Sequence, residues 1–300
     1  MTMRRFALLI LVLAAFATAQ CLAAASAASE RQTSGFLWEA TRGADRVLLV
    51  GTLHVGKPHF AVPPAVSAAQ VVAFEANVFD AQASLAAAQR YAMYADGAPG
   101  LDARADAALL ARLRRIGAER AGGLPLCCRM KPWMVANTLV LLEAAAAGLS
   151  PAFGTEALLY QFALAGGKPV VEIEGVEEQL RLFDEAAPSV QLDYLRYALD
   201  SVESGAGRAE IERLVAAWER GDEAAMESLA GEMTRSDSAA RRFVAERIFR
   251  GRHPKMVAAI ERYAASGRLH AVAIGSLHYF GADGLLPLLR SRGFTVRRLP

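Results

Sequence analysis

Cysteine is scarce in this 300-residue chain, with only three, and two of them, Cys127 and Cys128, are adjacent. Neighbouring cysteines close a ring that strains the peptide bond between them and departs from ordinary disulfide geometry, so disulfides do not organise this fold. The short signatures of several enzyme classes are missing as well. No Gly-x-Ser-x-Gly elbow exposes a nucleophilic serine, and no histidine flanks Cys127-Cys128 to activate a thiolate. No Walker loop or dinucleotide fingerprint is there to cradle a nucleotide. No basic stripe offers the electrostatic footprint of a nucleic-acid binder. No solenoid period is visible, and nothing is of low complexity beyond the Ala-rich residues ahead of Phe36.

What is there begins with an export signature. Arg4 and Arg5 make a short positive start, Phe6 to Phe16 is apolar and uncharged, and Ala25-Ser26-Ala27 offers an Ala-x-Ala cleavage site. Residues 1–27 therefore read as a signal peptide and 28–35 as a flexible N-terminus, which predicts a periplasmic or secreted protein. Cys21 raises a lipoprotein reading, but Gln20 stands where a small residue is expected. Membrane association would come only through an uncleaved signal or such a lipid anchor. Processing removes two of the 33 Lys plus Arg residues and none of the 31 Asp plus Glu, leaving a nearly neutral chain. With 54% hydrophobic residues the remainder, 36–300, can build a substantial core.

Phe36 to Ala40 and Arg46 to Leu53 read as strands joined by a hairpin turn at Arg42-Gly43-Ala44-Asp45. Val47-Leu48-Leu49-Val50 is apolar throughout, as a strand buried on both faces would be. Pro63-Pro64 opens a helical stretch, and Val71 to Phe74 is another buried strand, ending at Glu75. Helical spacing then dominates about 81–166. Pro169 to Ile173 returns as a buried strand ending at Glu174, and a second helical block fills about 176–265. Strand Leu269 to Ile274, helix Gly284 to Arg290 and strand Thr295 to Leu299 close the chain. These elements predict an α/β fold: a small mixed central sheet flanked by helices, carrying two large helical insertions.

One partial repeat carries the chemistry. Gly51-Thr52-Leu53-His54 ends the first buried strand and Gly275-Ser276-Leu277-His278 the penultimate one. In both, a histidine emerges just past the carboxyl end of a central strand, where open α/β sheets bind ligands. Glu75 and Glu174 finish two further strands, so two imidazoles and two carboxylates are expected at one rim, a donor set suited to a divalent first-row metal. Glu172 competes with Glu174, since strand alternation aims only one of them at the site. Glu75 could instead cap the helix beyond Asp80 or face water. His59 and His270 read as exposed or structural.

These residues, together with Phe74-Glu75, Lys131-Pro132-Trp133, Glu174 with Gln179, Arg252 before Pro254-Lys-Met, and Gly281 and Gly284 after His278, resemble the TraB/GumN family over nearly all of the mature chain. That family is similar to the Tiki proteins, extracellular enzymes held to be metal-dependent proteases, and more distantly to erythromycin esterase and ChaN-like proteins. The resemblance implies a site of His54, His278 and Glu75, with Arg252 as a fourth functional residue. His253 stands where the family commonly has Asn, and Glu156 where Asp is usual after Gly154, which makes both secondary candidates alongside Glu174. The family name implies association with polysaccharide gene clusters.

Two functions follow as expectations. In the first, His54, His278 and Glu75 hold a Mn, Co or Zn cation that lowers the pKa of a water, a carboxylate takes its proton, and Arg252 meets the anionic transition state or a substrate carboxylate. The substrate would be a peptide or another amide or ester. In the second, the same cleft binds a peptide, a polysaccharide end or a metal-bearing ligand without turnover, with Trp38, Trp133 and Trp218 as stacking surfaces.

Overall fold

The computed structural model describes residues 35–120, 129–235 and 237–300. The expectations for the signal peptide, for Cys21 and for Cys127-Cys128 lie outside the described residues. Among the described residues no helix is long and apolar enough to cross a membrane.

Among the described residues, six strands form one mixed sheet. They are β1 Phe36–Arg42, β2 Asp45–Thr52, β3 Val71–Phe74, β4 Val170–Glu172, β5 His270–Gly275 and β6 Thr295–Arg298, in the order β4-β3-β5-β2-β1-β6. The Arg42↔Asp45 pair closes the hairpin between β1 and β2. The four strands β4, β3, β5 and β2 run parallel, while β1 and β6 add an antiparallel edge. Both faces of the centre are covered, which is why its runs are apolar without alternation. Leu49, Ala73, Val272 and Ile274 join a large core on one face, and Leu48, Val50, Val72 and Phe74 a smaller one on the other. Only β4 departs from the sequence reading: it is a three-residue edge strand, half-buried rather than buried.

The helices are α1 Ala81–Ala87, α2 Ala107–Arg120, α3 Pro132–Ala146, α4 Thr155–Ala165, α5 Val176–Asp184, α6 Pro188–Glu203, α7 Ala206–Arg220, α8 Glu223–Met233, α9 Ala239–Phe243, α10 His253–Ala264 and α11 Leu285–Ser291. Their starts follow local chemistry. Pro opens α3 and α6, where its missing N–H is no loss, and Asp80, Asp222 and Ser238 cap α1, α8 and α9 through side-chain oxygens. Helix α4 covers the smaller core with Leu159 and Ala163. Most others, including α3, α6, α7 and α10, pack on the larger one.

Register sets what the sheet presents at its rim. Thr52 pairs with Gly275, Phe74 with Ala273 and Phe74 with Glu172, so the four parallel strands end within two residues of one another. The loop after β2 is tied to the start of α4: Thr155 N donates to Leu53 O at 2.9 Å, and Leu53 N donates to Thr155 Oγ1 at 2.7 Å. This approach needs a glycine, because a Cβ on Gly154 would lie 2.5 Å from the His54 carbonyl oxygen. Replacing Gly154 by Ala must therefore push the loop away from the helix. The Gly154→Ala protein should lose about 2 kcal/mol, the scale of an overpacked interior, read as a lower urea midpoint at unchanged m-value.

Candidate active site

The strand ends bring His54, Glu75, Glu174 and His278 to one rim, with Arg252 among them. Arg252 arrives from the other side of the chain. Helix α9 runs into a π-helical turn, Val244–Phe249, and then a 3-10 turn, Arg250–Arg252, ahead of α10. Single π turns of this kind re-aim side chains and recur at functional sites. The turn is tight: a Cβ on Gly251 would sit 2.5 Å from the Glu246 carbonyl oxygen.

The guanidinium is 3% exposed and its donors are committed to protein. Nε donates to Glu174 Oε2 at 3.0 Å, and Nη2 donates to Glu174 Oε2 at 2.6 Å and to Glu75 Oε2. Nη1 stands 3.4 Å from His278 Nε2. Glu75, 3% exposed, also accepts from the Gly275 amide at 2.6 Å, and Gln179 Nε2 reaches both carboxylates at 3.4 and 3.2 Å. Burial pushes the Glu75 pKa up, but Arg252, the two histidines and the Gly275 amide outweigh it and hold the carboxyl at about 2. The competing possibilities for Glu75 and Glu174 are resolved by the same contacts. Asp80, not Glu75, caps α1, and Glu172 turns outward to accept from the Asn77 amide.

Each histidine has its own orienting partner. His54 Nδ1 lies 2.5 Å from Glu156 Oε2, and Thr52 Oγ1 donates to the other Glu156 oxygen at 2.9 Å. Burial lowers the His54 pKa, but the Glu156 and Glu75 carboxylates reverse this and leave it raised. His278 faces a different neighbour. Its Nδ1 lies 3.0 Å from His253 Nε2, and His253 Nδ1 lies 2.6 Å from the Asp283 carbonyl oxygen. A carbonyl can only accept, so His253 Nδ1 carries a proton. Burial, the largest influence on His253, brings its pKa to about 4, so Nε2 is bare and accepts from His278 Nδ1–H. His278 is itself held neutral, with burial and Arg252 driving its pKa well below the ordinary value. Its Nε2 is therefore a lone-pair donor. Phe249 stacks on the ring, with centroids 4.5 Å apart.

Both histidines line one cavity of about 70 Å³, walled on its far side by Ile211, Leu214, Val215, Met233 and Phe249. A divalent cation is implied by the resemblance, and the donor chemistry suits one: imidazoles whose Nδ1 is tied by an orienting partner, beside an ionised carboxylate. Among the described residues, no three His, Cys, Asp or Glu side chains stand close enough together to enclose an ion. The Arg252 guanidinium stands against the Glu75 oxygen that such a set would use.

The tryptophans do not serve as ligand surfaces. Trp38, Trp133 and Trp218 are 2%, 0% and 2% exposed; Trp133 stacks on Phe183, and Trp218 Nε1 donates to Gly51 O at 2.9 Å. They are core residues because their faces complete aromatic packing. His270 is buried and stacked on Tyr263, and His59 is bound to Glu219 at 3.0 Å. Sequence reasoning passed over Thr52 and Phe249 as site residues and gave Gln179 no role. A hydroxyl within Gly-Thr-Leu-His was a visible signal for the first; nothing local marked Phe249.

A model of the TraB/PrgY/gumN family matches residues 36–298. No curated protein and no solved structure matches the chain.

Removing one partner from a buried ion pair strands the rest, at a cost of about 3–5 kcal/mol. Arg252→Met should lower the unfolding free energy by that amount in urea titration, whereas Arg297→Met, on an exposed pair with Glu39, should change it by less than about 1 kcal/mol. Stability should also fall with acid. His253 and His278 have folded values below the ordinary 6.5, so the unfolded chain binds those protons first. The His253 contribution is whole above 6.5 and lost toward about 4, and the His278 contribution is likewise whole above 6.5 and lost as pH falls through its lowered value. Glu75 adds a second loss between its ordinary 4.5 and about 2. His54 runs oppositely: its contribution is present below 6.5 and lost as pH rises through its raised value. Thermal midpoints recorded from about pH 8 down to about pH 3 should show the acid-side decline, and His253→Asn should remove part of its upper portion.

Proposed function

The chain belongs to the TraB/PrgY/gumN family, and we propose that it is an exported hydrolase of peptide, or other amide or ester, bonds, working with a divalent cation at the cavity between His54 and His278. One observation carries this reading. Two imidazoles from opposite ends of the sequence share a cavity, each with Nδ1 held by a partner, so that an ion would be met through Nε2, which on His278 stands 3.4 Å from Arg252 Nη1. The rim also carries surplus negative charge: one guanidinium faces Glu75 and Glu174, and Glu156 faces His54. A cation is a suitable occupant of such a place.

An ion here, Mn²⁺, Co²⁺ or Zn²⁺, would draw on His54, His278 and Glu75 once these stood closer together than they do and Arg252 had turned from Glu75, and it would supply a water of lowered pKa and polarise the scissile carbonyl. The chain's own contribution is orientation and proton handling. Glu156 fixes the His54 ring and favours its protonated form, so His54 must release a proton to act as a ligand and can hold one when it does not. His253 fixes the tautomer of His278. Glu75, ionised down to about pH 2, is too weak a base to take a proton from water near neutrality and serves as an anionic anchor. Arg252 was expected to meet an anionic substrate. With its donors taken up, it is a positioning residue that holds Glu75, Glu174 and the His278 edge in place.

The test offers Mn²⁺, Co²⁺ and Zn²⁺ to the purified protein, with elemental analysis of what stays bound and a panel of peptide and ester substrates. About one ion per chain should bind. His54→Ala and His278→Ala should each lower metal affinity or turnover by about 100-fold or more, and affinity should weaken as pH falls because His54 then keeps its proton. Absence of any bound ion, with hydrolysis unaffected by His54→Ala, overturns the proposal.

A further inference from the structure

The cavity beside the histidines has two unlike walls. The strand-end side mixes Thr52, His54, Ser276 and His278 with apolar Leu53 and Val55, and its hydroxyls are already engaged: Thr52 Oγ1 donates to Glu156, and Ser276 Oγ donates to the Thr52 carbonyl at 2.9 Å. The rest of the lining is Ile211, Leu214 and Val215 of α7, Met233 at the end of α8, Phe249, and Leu277 just after β5. All six are buried, and none offers a conventional hydrogen bond to a ligand. An apolar void inside a close-packed interior forfeits dispersion contacts for its lining, and here the void is kept where it opens onto the imidazoles.

We infer that this space is a subsite for a short branched aliphatic group, the size of a valine or leucine side chain, on the molecule the site acts upon. Its role as a substrate subsite rests on the hydrolase reading; its capacity to bind the group rests on the cavity alone. Size and chemistry both select. The volume is about 70 Å³, whereas an apolar cavity that takes benzene measures ~150 Å³, so the space favours an aliphatic branch over an aromatic ring. A charged group would lose its hydration against a wall with no partner for it. An aliphatic branch restores the missing contacts and leaves its polar neighbour atoms at the His54 and His278 end.

The test is an NMR titration of the protein with four neutral probes: the N-acetyl amides of glycine, valine, leucine and phenylalanine. The valine and leucine amides should bind about tenfold or more tighter than the glycine amide, and the phenylalanine amide weaker than the leucine amide. Val215→Phe, which fills the space, should erase the leucine preference. Leu214→Ala, which enlarges it, should move preference toward phenylalanine, and it tests the inference even where the larger side chain at position 215 prevents folding. Equal binding of all four amides, or preferences unchanged by Leu214→Ala, overturns the subsite. Selective leucine binding by a protein that cleaves no peptide or ester under any metal keeps the subsite and sinks the hydrolase. Cleavage without aliphatic preference does the reverse.

Discussion

A guanidinium taken out of water between two carboxylates is the constraint from which the rest of this rim follows. Desolvating such a group is tolerable only when its donors are met with good geometry, and an apolar substitute of the same shape is often no less stable. The arrangement around Arg252 is therefore better understood as a means of fixing positions than as a source of stability. It joins the ends of β3 and β4, through Glu75 and Glu174, to the 3-10 turn that follows the π turn ahead of α10. It also keeps Glu75 ionised despite burial. The Gly275 amide then anchors the other Glu75 oxygen, and that bond ties β5, and with it His278, to the same charge cluster.

The two histidines are placed alike by the fold and treated oppositely by their neighbours. His54 leans on a carboxylate and is raised; His278 leans on a second, neutral imidazole and a guanidinium edge, and is lowered. Environments that push two similar groups apart divide acid and base roles between them. At neutral pH His278 is an unprotonated ring whose Nε2 faces Arg252 Nη1, whereas His54 can hold or give up a proton. This difference comes from Glu156 and His253, residues that lie behind the rings.

Much of the rim was legible in the sequence because strand ends announce themselves. An apolar run that stops at Gly, a hydroxyl residue, Leu and His specifies the face, the end and the side chain at once, and Glu75 and Glu174 terminate their runs in the same way. The parallel order β4-β3-β5-β2 then had to bring those ends together, since the crossovers return each strand in the same direction. Other features were not readable from local pattern. The shortness of β4 depends on its being an edge, which is a matter of topology. The tryptophans looked available because periodicity says that a face is apolar without saying what covers it. The competition between Glu172 and Glu174 turned on where the chain leaves the sheet after β4. The apolar wall came from α7 and α8, whose spacing is that of any core helix.

The π turn explains how the two halves of the site are coupled. Within Val244–Arg252 the chain supplies Phe249 to the cavity wall and Arg252 to the carboxylates, and Gly251 lets the turn close on the Glu246 carbonyl. Phe249 stacks on His278 while Arg252 Nη1 approaches the same imidazole edge. A group entering the cavity therefore meets a ring whose backbone is three residues from the guanidinium. Phe249 on the cavity wall and Arg252 among the carboxylates thus come from one short segment, and both touch the His278 ring.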